Sequence, residues 1–251
     1  MKNLLAGFLA MVLLAAPVAV RAQDPEAQIG QQVYKQLEGE GKIVKDSPYY
    51  SVLDPIAKRI AVVADPQYQY PFHFILVKEK QPNAFAVPGG NVYVTLPLMT
   101  FVQNQEELAG VLCHETSHDI HHDVMHRINV ERNLSIGATL LGAIFHVNQL
   151  GAAALNLAAN LQSLRFSRSI EQNADHLGAY TCSKAGYNPW GMAWLMERFQ
   201  KVETSSPPEF LSDHPSDAAR IEALKAEFQA NPEIFGHWSP SLASAHPLPK
   251  P

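Results

Sequence analysis

Residues 114–118 read His-Glu-Thr-Ser-His. This run constrains the fold more than any other segment. On a helix, residues four apart stack one turn above the other on one face. His114 and His118 can then bind one metal ion while Glu115 leans toward its open coordination position. That arrangement activates a water molecule and supplies a general base beside it. A chance match arises in roughly 3 of 100 chains of this composition, so the run needs support from elsewhere. Five of the eleven histidines (114, 118, 121, 122 and 126) crowd this one segment. Crowding suits a metal site and also raises the odds of an accidental match.

A catalytic zinc needs a third protein ligand and a vacant position. Candidates are His121, His122, His126, His176 and Glu171. A third histidine six residues after His118 is absent, because position 124 is valine, and His121 stands where that longer motif has glycine. His122 lies two helical pitches past His114, about 11 Å along the axis, too far for one ion to bridge comfortably. The third ligand is therefore expected from another helix. Glu171 and Asp175 are again four apart. Glu171 can bind the metal, and Asp175 can accept the second ring N–H of a ligand histidine, fixing its tautomer. A Glu-x-x-x-Asp pair alone is also an ordinary acidic helix face.

Around these motifs the apolar spacing predicts helices over 26–37, 52–63, 106–127, 170–184, 190–202 and 218–230. Strands are expected over 72–77, 84–87 and 92–95, the last two around the Gly89-Gly90 turn. Helices, then a few strands, then mostly helices indicate an α+β domain with a small sheet. Residues 134–164 are rich in Ala, Leu and Gly. Thr139, His146, Asn148, Gln149 and Asn156 interrupt the apolar run, which favours a buried helical hairpin over peripheral membrane contact. Residues 231–251 carry five prolines and little apolar pattern, and read as a tail.

At the N-terminus, Lys2, the apolar stretch 4–20 and Val20-Arg21-Ala22 read as a signal peptide over residues 1–22. The domain then spans 23–230, exported to the periplasm or another extracytoplasmic compartment and soluble after signal removal. Export implies oxidising conditions, where Cys113 and Cys182 can pair or stay as two buried thiols. The formal net charge is −5 with no Lys/Arg cluster, which excludes a nucleic-acid partner, since nothing would neutralise a run of phosphates. No repeat or adapter segment is evident.

Taken together, the motifs resemble the CAAX prenyl endopeptidase family of gluzincin metallopeptidases, in its soluble exported bacterial branch of periplasmic outer-membrane quality-control metalloproteases. The resemblance runs from about Glu26 to Ala230. It is carried by Asn83-Ala84-Phe85-Ala86-Val87-Pro88-Gly89-Gly90 and Val92-Tyr93-Val94, by Glu107-Leu108-Ala109-Gly110-Val111-Leu112 leading into the histidine motif, and by Ser167-Arg168 before Glu171 and Ala174-Asp175. Ala185-Gly186-Tyr187-Asn188-Pro189, His214-Pro215 and Arg220-Ile221 complete it. It implies a zincin-type, mostly helical domain. It further implies one Zn2+ held by His114, His118 and Glu171, with Glu115 as base and Asp175 behind a ligand. Asn83, Ala84, Phe85 and Ala86 would form an edge strand lining the cleft. The chain departs from the family at Cys113, Ser117 and Asp119, and Asp119 is expected to face solvent.

The activity implied is peptide-bond hydrolysis on unfolded or misassembled exported proteins, recognised as extended backbone. Protein or peptide substrates are the expected partners. His214 is the candidate donor to the developing oxyanion, or, in the fourth zinc position, a gate. Arg220 is expected to pair with an acid and hold this loop. The competing reading is a zinc-containing chaperone-like module that holds unfolded chains without cutting them; the intact Glu115 speaks against it.

Overall fold

The computed structural model describes residues 24–133, 157–162, 165–201, 210, 214 and 218–251. The expected signal peptide, and most of the apolar segment 134–164, lie outside the described residues.

Three strands build one sheet in the order β1-β3-β2. β1 (His73–Val77) pairs parallel with β3 (Asn91–Thr95), and β2 (Ala84–Val87) pairs antiparallel with β3 as an edge strand. Side chains alternate between the two faces. Ala84, Ala86, Val92 and Val94 enter one core, whereas Phe85, Val87 and Tyr93 enter the other. Burial on both faces explains why the strands read as near-continuous apolar runs.

The second core is closed by α1 (Pro25–Gly39), through Ile29, Val33 and Leu37, and by α5 (Asp123–Asn133) and α6 (Leu157–Gln162). The larger core joins the other sheet face to α2 (Tyr50–Ala64), α3 (Leu96–Phe101), α4 (Gln105–Ile120), α7 (Arg168–Lys184), α8 (Trp190–Lys201) and α9 (Ala218–Ala230). A mostly helical α+β domain with a small sheet is thus the observed architecture.

α4 is its axis. Asn104 caps it, accepting from the Glu107 amide at 2.8 Å, and every residue from Glu106 to Asp119 is buried. No face of this helix is open to water, so its polar residues are enclosed rather than solvated. Asp119, expected to face solvent, is buried for that reason.

The helix expected over 106–127 is also two helices. α4 stops at Ile120, and His122 takes a left-handed backbone (φ 55°) before α5 begins. A non-glycine residue is held there only when its surroundings over-determine it; His122 Nδ1 meets Glu26 Oε1 at 2.6 Å.

The Pro-rich segment 231–251, expected as a tail, is laid against the domain. α10 (Pro232–Phe235) buries Phe235. Further on, the His246 amide donates to Glu106 Oε2 at 2.9 Å, and the Gln105 amide donates back to the His246 carbonyl. Cys113 and Cys182, whose pairing the sequence left open, form a disulfide between α4 and α7 with Cα atoms 5.8 Å apart.

Candidate metal centre

α4 and α7 pack closely because Gly178 has no side chain. A Cβ there would lie 3.2 Å from the backbone of Cys113 and His114. At this crossing His114, His118 and Glu171 converge. With His214, each offers one donor atom, and the four atoms lie within 4.8 Å of one another. All four side chains are buried. His114 Nε2 and His118 Nε2 stand 3.1 Å apart. Glu171 Oε2 is 3.4 Å from His114 Nε2, and Glu171 Oε1 is 3.7 Å from His118 Nε2.

The other ring nitrogens explain why these donors fit a metal. His114 Nδ1 faces Asp175 Oδ1 at 3.0 Å, and His118 Nδ1 faces Asp123 Oδ2 at 2.8 Å. A carboxylate beside Nδ1 favours a proton on that nitrogen, so each imidazole, once neutral, presents the Nε2 lone pair to the shared point. Two imidazole nitrogens and a carboxylate converging in a buried space can hold a cation, and the residue types suit Zn2+.

Without an ion, protons take up the demand. Burial alone would lower His114, but Asp175 and Glu171 overcome it and hold its imidazole at about 10. His118 is lowered by burial and by the neighbouring His114 and His214. Burial would raise Glu171, yet His214 and His114 pull it well below the usual carboxylate range. Protons and a metal ion therefore compete for the same atoms.

Arg220 is the fixed counter-charge. Its Nη1 lies 2.7 Å from Glu171 Oε2, while Nη2 and Nε donate to Asp175 at 2.7 and 2.8 Å. This buried fork locks both carboxylates in register. The expected acid pairing of Arg220 is thus seen with two acids at once.

Glu115 lies one residue along α4, beside the edge strand. The Ala86 amide donates to Glu115 Oε2 at 3.0 Å. Glu115 Oε1 is buried without a hydrogen-bond partner, with His214 Nε2 at 3.5 Å. Asn83, Ala84, Phe85 and Ala86 are buried along this side of α4. The Thr95 amide donates to the Asn83 carbonyl, so Asn83 faces β3, and by alternation Ala84 and Ala86 direct their backbone groups away from it. The space enclosed by Ala86, Glu115, His118, Phe166 and His214 is about 10 Å³, room for about one water molecule. A cavity of about 590 Å³ between α2 and β1 contains none of the converging residues.

His214 sits inside the cluster. Its Nδ1 is 3.0 Å from Glu171 Oε1 and 3.3 Å from His114 Nε2. The Phe210 ring stacks on it at 5.1 Å.

Two site residues escaped the sequence reading. Asp123 stands five residues after His118, out of reach along a straight helix; only the break at His121-His122 returns it to His118. Phe166, one residue before the Ser167 cap of α7, stacks on the His118 ring at 4.6 Å, and no periodicity marks it. His121, His126 and His176 do not join the cluster among the described residues; His176 pairs instead with Glu227 at 3.1 Å.

A model of peptidase family M48 matches residues 51–228. The chain is 30% identical over 207 residues to the beta-barrel assembly-enhancing protease of Escherichia coli (strain K12), an alignment covering 78% of this chain and 42% of that protein. It is 29% identical over 209 residues to the mitochondrial metalloendopeptidase OMA1 of Schizosaccharomyces pombe, covering 80% of this chain and 60% of the relative. The Saccharomyces cerevisiae OMA1 is 29% identical over 229 residues, covering 87% and 58%. The chain thus spans less than two thirds of the length of these relatives.

Proposed function

The chain belongs to peptidase family M48, and from that membership we propose that it is a zinc-dependent metalloendopeptidase. It would cleave unfolded or misassembled exported proteins, in the periplasm or another extracytoplasmic compartment. The observation that carries the reading is the convergence of His114 Nε2, His118 Nε2 and a Glu171 oxygen beside Glu115.

His114, His118 and Glu171 hold the ion, and Asp175 and Asp123 set the tautomers of the two histidines. Bound there, Zn2+ supplies Lewis acidity that activates water and polarises a carbonyl. Glu115 Oε1 takes the proton from the attacking water and later delivers it to the leaving amine. The substrate extends along β2 as an added strand, and the Ala86 amide exchanges Glu115 for substrate backbone. Recognition through backbone favours extended chains over tight native domains.

His214 has two readings: an N–H donor to the developing oxyanion, or a gate in the fourth ligand position. Its Nδ1, 3.0 Å from Glu171 Oε1, and the small cavity beside Glu115 support the gate. In that reading the centre is shut until an extended substrate displaces His214, and the same histidine becomes available as donor.

Glu115→Gln tests the mechanism. The variant is expected to bind one zinc per chain and to cleave casein about 10²–10⁴-fold more slowly than the parent. Undiminished cleavage would remove Glu115 from the chemistry. Parent protein that holds unfolded casein without cutting it, with zinc present, would leave the chaperone-like reading standing.

A further inference from the structure

Residues 171, 175, 178 and 182 lie at four-, three- and four-residue intervals, one stripe along α7. Each meets α4. Glu171 enters the donor cluster, and Asp175 Oδ1 lies 3.0 Å from His114 Nδ1. Gly178 lies against the backbone of Cys113 and His114, and Cys182 is bonded to Cys113. The covalent link is therefore made one residue before His114, on the helix face where the two ligand-bearing helices touch. Both sulfur-bearing residues are buried, so the bond belongs to the assembled interior.

We infer that Cys113 and Cys182 are a positioning pair for the metal centre, fixing the spacing between His114 on α4 and Glu171 on α7. This rests on the reading that these residues bind metal. An imidazole and a carboxylate must approach a common point within a few tenths of an ångström to share an ion. Packing at Gly178 limits how near the helices come, and the disulfide limits how far they part. Because thiols stay reduced where chains are synthesised and pair after export, the bond also ties the assembled centre to an oxidising compartment.

A bridge that only restricts the unfolded chain would raise the melting temperature and leave the folded centre unchanged. The test separates the two roles. The full-length parent and the double variant Cys113→Ala/Cys182→Ala are compared by zinc competition against a chromophoric chelator, far below the melting temperature of either. The visible spectrum of each Co2+-loaded form and the Tm of each metal-free form are recorded alongside. The expected result is zinc affinity reduced roughly ten- to hundredfold, the range for groups that hold ligands in place, with altered cobalt bands. Unchanged affinity and spectrum beside a lowered Tm would overturn the proposal. Should the double variant fail to fold, Cys113→Ser/Cys182→Ala replaces it; if neither folds, the bond is a requirement of the fold and the positioning role falls. His114→Ala with the bridge intact guards the premise: zinc binding equal to the parent's would overturn the metal-centre reading itself.

Discussion

Asp119 shows what enclosure does to one side chain. It sits on α4 beside His118, buried, with the Gly90 amide donating to it and Oδ2 left without a partner. Burial, then the nearby Glu26 carboxylate, push its carboxyl well above the usual range. A carboxyl raised by folding favours the folded state when protonated. That contribution is fully present below the unfolded value, about 3.9, and is lost as pH rises toward the folded one. Asn keeps the shape without the ionisation, so Asp119→Asn is expected to melt at or above the parent at pH 7.5. The advantage should shrink as pH falls toward 4. A variant clearly less stable at pH 7.5 would contradict this account. His114, Glu115 and His118 were legible because their spacing is itself the chemistry. The burial of Asp119 was not, since one sequence window cannot reveal that a helix is covered on every side.

At the scale of elements, the break between α4 and α5 does most to complete the site. A straight helix would carry Asp123 away from His118; the left-handed His122, held by Glu26, turns α5 so that Asp123 Oδ2 comes within 2.8 Å of His118 Nδ1. Removing that acceptor frees the His118 tautomer. Asp123→Ala is expected to reduce zinc affinity about 10–100-fold while the fold persists, read by chelator competition and circular dichroism. Affinity equal to the parent's would mean that Asp123 serves packing alone. The histidine-rich pattern of 114–126 supports one continuous helix at the level of spacing, and the break depends on a contact with Glu26, nearly a hundred residues upstream. The helices over 26–37, 52–63, 170–184 and 218–230, by contrast, lie within the observed α1, α2, α7 and α9, because each is one unbroken helix with a buried face and an exposed one.

Across the whole molecule, a small sheet covered on both faces holds α4 against the edge strand β2, and α7 closes from the far side. The family and the α+β class were readable because motif order survives where single motifs are ambiguous. The course of residues 231–251 was not. Phe235 is buried, and Trp238 and Leu248 are partly buried against the main core, but prolines separate them and no period links them. Among the described residues no helix is long and apolar enough to cross a membrane. The central claim is that this scaffold brings His114, His118 and Glu171 to one ion. Anomalous scattering across the zinc absorption edge, on a crystal of the full chain, tests it most directly. The account predicts one peak per chain in direct contact with His114 Nε2, His118 Nε2 and a Glu171 oxygen. A peak held by a third residue in place of Glu171, or no zinc peak at this crossing of α4 and α7, would contradict it.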